Sequence, residues 1–279
     1  MIYKAIFTVI TALGAVLATS GADATTTFDA NVTNNVIFSS GGVSNGAFTV
    51  DRANGVELGL RGKLRFNSAN LPENTFNSNG DGTYSFQGGA APDGFGFDSG
   101  SLTTPVWSFE WSINSDWDGS GSGRKLDGLS YLLEIDGDPT ATNNGAGIGF
   151  DPINLGPADH AIGNNLTGNG GGAIAANPTD YALLIANNNL AQNSWNYEFF
   201  NETTDGLYLS QLAGFDPYVA GIYTIKLSAF DGNQAMLAST SIDILVSAVP
   251  IPAALPLFLS GLFGLGVVAR RKRKQVAIT

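Results

Sequence analysis

The chain has 279 residues, no cysteine and a formal net charge of −11 at pH 7, which excludes disulfide staples, thiolate nucleophiles and Cys-ligated zinc. An acidic surface repels phosphate backbones, so no nucleic-acid partner is expected. The 17 Phe, 8 Tyr and 4 Trp are too many for a disordered chain and imply a packed core.

At the amino terminus Lys4 supplies a positive charge, Ala5 to Ala18 an apolar run, and Ala22-Asp23-Ala24 an A-x-A cleavage site. Residues 1–24 therefore read as a secretory signal peptide, removed by signal peptidase to leave Thr25 at the mature start. Residues 25–248 form the body, long enough for one sizeable domain. Asp23 is the only carboxylate outside that body, whereas Lys4 and five cations near the carboxyl terminus are outside it, so the body carries about −16. Such a charge suits a protein that must stay soluble outside the cell.

The body alternates short apolar-polar runs with turn dipeptides such as Asn45-Gly46, Asn54-Gly55, Asn79-Gly80, Asp118-Gly119 and Asp231-Gly232. In Val106–Ile113, Trp107, Phe109, Trp111 and Ile113 share one face, and Ser108, Glu110 and Ser112 the other. Leu129, Tyr131, Leu133 and Ile135 repeat the pattern, as do Trp195, Tyr197 and Phe199. The stretch 141–178 is rich in Gly and Asn and reads as long loops, and Tyr181–Ala186 fits either a buried strand or a short helix. Gly221–Phe230 and Ser239–Val246 flank a loop at Asp231–Ala238 and read as a closing antiparallel hairpin. The expected fold class is all-β, a two-sheet antiparallel β-sandwich resembling a jelly roll.

Several constellations invite chemistry. Gly42-Val43-Ser44-Asn45-Gly46 matches the G-x-S-x-G nucleophile elbow, but a strand follows where a helix is required, and the pattern reads as an ordinary turn. His160 is the only histidine and reads as a hydrogen-bonded surface group. Asn114, Asp116 and Asp118, with Gly119, have the oxygen spacing of the first half of an EF-hand-like loop and are the candidate calcium ligands. The twelfth position is Lys125 instead of a bidentate Glu. Asp136, Asp138 and Thr140 form a second partial match, and solvated turns produce the same spacing. Glu110 and Glu134 are the carboxylates that a glycoside hydrolase would need to bring together, and otherwise read as outward-facing charges. Trp107, Trp111 and Trp195 fall on core faces, which leaves Trp117 as the tryptophan for stacking on a sugar.

The carboxyl terminus carries the sharpest signal. Val249-Pro250-Ile251-Pro252-Ala253 leads into an uncharged apolar run to Ala269, roughly 25 Å long as a helix, and the run stops at Arg270, Arg271, Lys272, Arg273 and Lys274. The positive-inside rule keeps those cations cytoplasmic, so a single-pass helix here directs the body outward. The sorting segment 249–279 resembles, over about residues 249–275, the PEP-CTERM class of sorting signals, in its variant with the signature Val-Pro-Leu-Pro-Ala. The match is at Val249, Pro250, Pro252 and Ala253, with Ile251 in place of Leu. The resemblance implies recognition by an exosortase-type membrane enzyme and export through the inner membrane of a Gram-negative bacterium to the envelope, surface or extracellular matrix. Trp107–Asn114, Asp159–Gly163 and Ala191–Asn196 are similar to blocks of secreted proteins with this tail, which implies a shared sandwich and no known activity. The expectation is a non-enzymatic structural or adhesive protein without a cofactor, calcium aside. The alternative is a carbohydrate-binding module, calcium-assisted, acting on exopolysaccharide.

Overall fold

A computed structural model describes residues 25–34, 36–37, 44–67, 69, 72–91, 104–140, 147–200 and 215–248. The expected signal peptide and sorting tail lie outside the described residues. Among the described residues no helix is long and apolar enough to cross a membrane.

Strands dominate, arranged in two sheets. The first runs β1 (Thr25–Ala30), β2 (Phe48–Ala53), β3 (Val56–Phe66), β6 (Trp107–Asn114), β10 (Leu190–Trp195), β9 (Ala161–Gly163), with β4 (Pro72–Thr75) also on β3. The second runs β5 (Thr83–Gln87), β12 (Met236–Ser247), β11 (Gly221–Phe230), β7 (Ser130–Asp136), β8 (Gly147–Phe150). The β2–β3 hairpin turns on Asn54-Gly55, both at positive φ (52° and 77°), as a two-residue type I′ loop requires. Alternate residues of both sheets meet in one core: Leu58, Leu60, Trp107, Phe109, Trp111 and Ile113 face Tyr131, Leu133, Ile135, Tyr223, Ile225 and Ile244. At Gly62 the sheets approach closely, since a Cβ there would lie 2.8 Å from Ile244 Cδ1 and Tyr84 Cβ.

The expectation of an all-antiparallel, jelly-roll-like arrangement needs correction. β5 runs parallel to β12, while every other strand pair among the described residues is antiparallel, and β1, β2 and β3 are successive neighbours in one sheet. Residues 77–79 turn back in a tight antiparallel hairpin onto the start of β5, whereas β5 and β12 are far apart in the chain, so no hairpin forces their directions to oppose. The region expected as long loops holds β8 and β9, and Tyr181–Ala186 lies in a helix, α1 (Pro178–Asn187). That helix starts where Asn177 Oδ1 accepts from Asp180 N and Pro178 takes the first turn. The strand expected to include Tyr197 and Phe199 ends at Trp195, and Tyr197–Phe200 form a 3-10 turn that still buries Tyr197 and Phe200. The closing hairpin has a shorter loop than expected, because β12 already begins at Met236.

The outer face of the first sheet is covered as well. The described parts of the connection from β1 to β2, residues 31–34, 36–37 and 44–47, lie over it as a strap, held by three buried side chains. Glu57 accepts from Thr33 N and Oγ1, both at 2.8 Å. Gln192 Oε1 accepts from Val36 N and Ile37 N, while its Nε2 donates to Asn34 O. Arg61 Nη1 donates to Ser44 O and Gly46 O. Every residue of β6 is therefore buried, the polar ones included.

Candidate functional site

The three candidate calcium ligands sit at the end of β6 and in the loop after it. Asn114 Oδ1 accepts from Asp116 N and Asn189 Nδ2. The two oxygens of Asp116 accept from Gly121 N (2.7 Å) and Gly123 N (2.8 Å). Asp118, exposed, accepts from Ser120 N, and hydrogen bonds with Ser120 hold its carboxyl below the ordinary value. Asp136 and Asp138 likewise accept from the backbone two residues on. Asn114, Asp118, Asp136 and Asp138 thus form Asx turns, while Asp116 closes a wider loop onto Gly121 and Gly123. Gly119 adopts φ +78°, the sharp turn its position suggests. Among the described residues no group of three or more His, Cys, Asp or Glu side chains could hold a metal.

The same loop presents Trp117. Asn165 Nδ2 donates to Asp116 O and Trp117 O, and Asn165 Oδ1 accepts from Asn114 Nδ2 (2.7 Å) and Asn189 Nδ2 (3.0 Å). These interlocked amides tie three distant segments together and fix the loop. Trp117 is half-buried, with the Arg52 guanidinium over its ring at 5.1 Å. Trp107, Trp111 and Trp195 are core residues, as expected.

Glu110 and Glu134 do not come together. Glu110 is on the outer face of the first sheet, buried, with Arg61 Nε at 2.6 Å and Lys63 Nζ at 2.9 Å. Glu134 lies on the outer face of the second sheet, 46% exposed, with Lys226 Nζ at 3.5 Å. The whole double layer separates them, so the hydrolase pair is excluded. The expectation of an ordinary outward-facing charge also fails for Glu110, because the strap covers that face. Burial pushes its carboxyl up, but Arg61 and Lys63 outweigh burial and hold it below the usual carboxylate value. Arg61 is itself clamped between Phe48 and Phe76, 4.1 and 3.8 Å from the ring centres. Arg61, Lys63 and Arg65 recur at every second residue of β3, a period visible in the sequence that marks three cations on one face of one strand.

His160 also departs from expectation, being fully buried. Its Nε2–H donates to Pro152 O at 2.7 Å, and Nδ1 accepts from Asn193 Nδ2 at 3.0 Å, so both nitrogens are used by the neutral ring. Trp111, Trp195 and Tyr181 surround it with ring centres 4.9–5.9 Å away. Burial lowers its pKa to about 4. Ser44, the elbow serine, precedes β2 and offers its carbonyl to Arg61; the strand that follows agrees with the turn reading.

One cleft, of about 410 Å³, lies at the seam between the sheets, where β1, the turn before β5 and β12 meet. Phe28, Asp81, Ser241 and Asp243 line it. Nothing in the sequence brings these residues together, since the parallel β5–β12 pairing makes the seam. No family model, curated protein or solved structure matches the chain.

Proposed function

We propose that this is an exported, non-enzymatic protein of the cell surface or extracellular matrix, delivered through an exosortase-type tail, with a structural or adhesive role for its β-rich body. The observation that carries the reading is the sequence Val249-Pro250-Ile251-Pro252-Ala253, its apolar run and the stop at Arg270–Lys274. The amino-terminal signal peptide supports it, as does a body that closes around one core without cysteine. In a strain lacking the exosortase-type enzyme, the chain should accumulate unprocessed in the inner membrane, as read by mass on an immunoblot of fractions. Normal surface display in that strain would sink the reading.

A carbohydrate-binding role is the second reading. It is favoured by Trp117, partly exposed on a loop that the Asn114, Asn165 and Asn189 amides hold rigid. A pre-ordered ring loses little entropy when a sugar stacks on it. A glycan array run with and without EDTA tests it, using Trp117→Ala as the control. A hit that survives that substitution, or no hit at all, removes the idea.

A further inference from the structure

The seam cleft combines an open piece of strand edge with negative charge that no cation among the described residues offsets, although Asp81 Oδ1 accepts from Thr83 N and Oγ1 and Asp243 Oδ1 accepts from Thr224 Oγ1. The first is backbone. Along the edge of β12 that faces away from β11, Leu237 O accepts from Asn54 Nδ2, Ser239 N donates to Asp51 Oδ2 at 2.8 Å, and Asp243 N donates to Gly82 O at 3.1 Å. N–H groups on one edge of a strand recur every second residue, so Ser241 N–H and C=O point the same way, into the cleft. Parallel pairing with β5 begins only at Asp243, and Ser241 is exposed. One residue of strand edge, Ser241, with its N–H and C=O, therefore stands open between the capped position at Ser239 and the paired one at Asp243.

The second is charge. Asp81 and Asp243 line the cleft, Asp29 lies beside Gly80 next to Asp81, and Asp51 is buried behind Ser239 with Oδ1 unbonded among the described residues. None of the four carboxylates has a cation among the described ion pairs. Lys226, opposite Ser241 on β11, reaches the other way to Glu134, and Arg52 is engaged with Glu57. Phe28 adds an apolar wall: it is 45% exposed and lies against Gly82, where a Cβ would meet the ring at 3.0 Å.

The geometry points to this cleft as a docking site for a short basic peptide segment, which adds in extended form to the open edge at Ser241 and places Lys or Arg beside Asp81 and Asp243. Main-chain hydrogen bonds select an extended polypeptide, the carboxylates select its charge, and Phe28 covers the aliphatic stem of the cation. A neutral sugar could bond Ser241 through its hydroxyls and stack on Phe28 but brings no cation to Asp81 and Asp243, so a basic polypeptide is the ligand that uses all three features.

The test measures fluorescence anisotropy of labelled Lys-Thr-Lys-Thr-Lys with the full-length chain, beside its Glu-for-Lys counterpart and a copy N-methylated at alternate amides. Saturable binding of the first peptide is expected, at least tenfold weaker for the other two. Asp81→Asn/Asp243→Asn should weaken binding at least tenfold. Ser241→Pro should do the same with a modest drop in the thermal midpoint, because it loses the Ser241 Oγ bond to Ile225 O while the N–H it removes faces the open edge. If Ser241→Pro fails to fold, the N-methylated peptide still decides the question. Equal binding of the methylated peptide, or indifference to the Asp substitutions, would overturn the proposal. So would a neutral oligosaccharide that binds at the cleft when the basic peptide does not.

Discussion

His160 is the residue whose environment departs furthest from its local sequence. Asp159-His160-Ala161 reads as surface loop, yet the imidazole is enclosed by Trp111, Tyr181 and Trp195, which come from three distant parts of the chain. No period within the segment could reveal that. The consequence is a pH dependence. The folded pKa is lowered to about 4 against an ordinary 6.5, so the unfolded chain binds a proton that the folded chain refuses. Stability from this group is complete above about pH 6.5 and is lost as the pH falls towards 4, in total on the order of 3 kcal/mol. Urea unfolding of wild type and His160→Gln at pH 7 and pH 4 measures it, and the variant should lose less by roughly that amount. Glu110 poses a second test. Replacing it by Ala leaves Arg61 and Lys63 buried without their carboxylate and should cost about 3–5 kcal/mol. Glu134→Ala, which removes an exposed pair, should cost less than about 1 kcal/mol in the same assay.

At the scale of elements, alternation located strands well and faces poorly. Gly221–Phe230 falls where its period places it, and Trp107, Phe109, Trp111 and Ile113 point into the core as their spacing requires. The same period cannot tell a solvated face from a covered one. Ser108, Glu110 and Ser112 look like solvent positions until the strap closes over them. The oxygen spacing at Asn114, Asp116 and Asp118 was legible, but whether those oxygens face a cation or backbone N–H groups depends on where Gly121, Gly123 and Asn189 arrive. The strap's dependence on side chains is itself testable. Gln192→Leu leaves the Val36 and Ile37 amides without their acceptor and should cost about 1–3 kcal/mol. Hydrogen exchange should quicken at those two amides while the β11 amides stay protected; uniform exchange across the body would show that the strap is held otherwise.

For the whole molecule, the order of strands makes the last one decisive. β12 lies inside its sheet, between β5 and β11, and also packs on β2 and β3. The second sheet cannot close until it is present, so most of the core must wait for the carboxyl-terminal end of the body. A chain ending at Ala235 should show no cooperative thermal transition by circular dichroism. One ending at Ala248 should melt as sharply as the full chain. Under the proposed function the chain divides into a body of charge about −16 that folds as a unit and a segment beyond it that serves as an address. Fractionation of the native bacterium carrying either the full chain or the chain ending at Ala248 tests that division of labour most directly. The full chain should be found with the envelope, surface or matrix, and the shortened one released to the medium or missing from the surface. Intact full chain in the cytosol, or undiminished surface retention of the shortened one, would contradict the account.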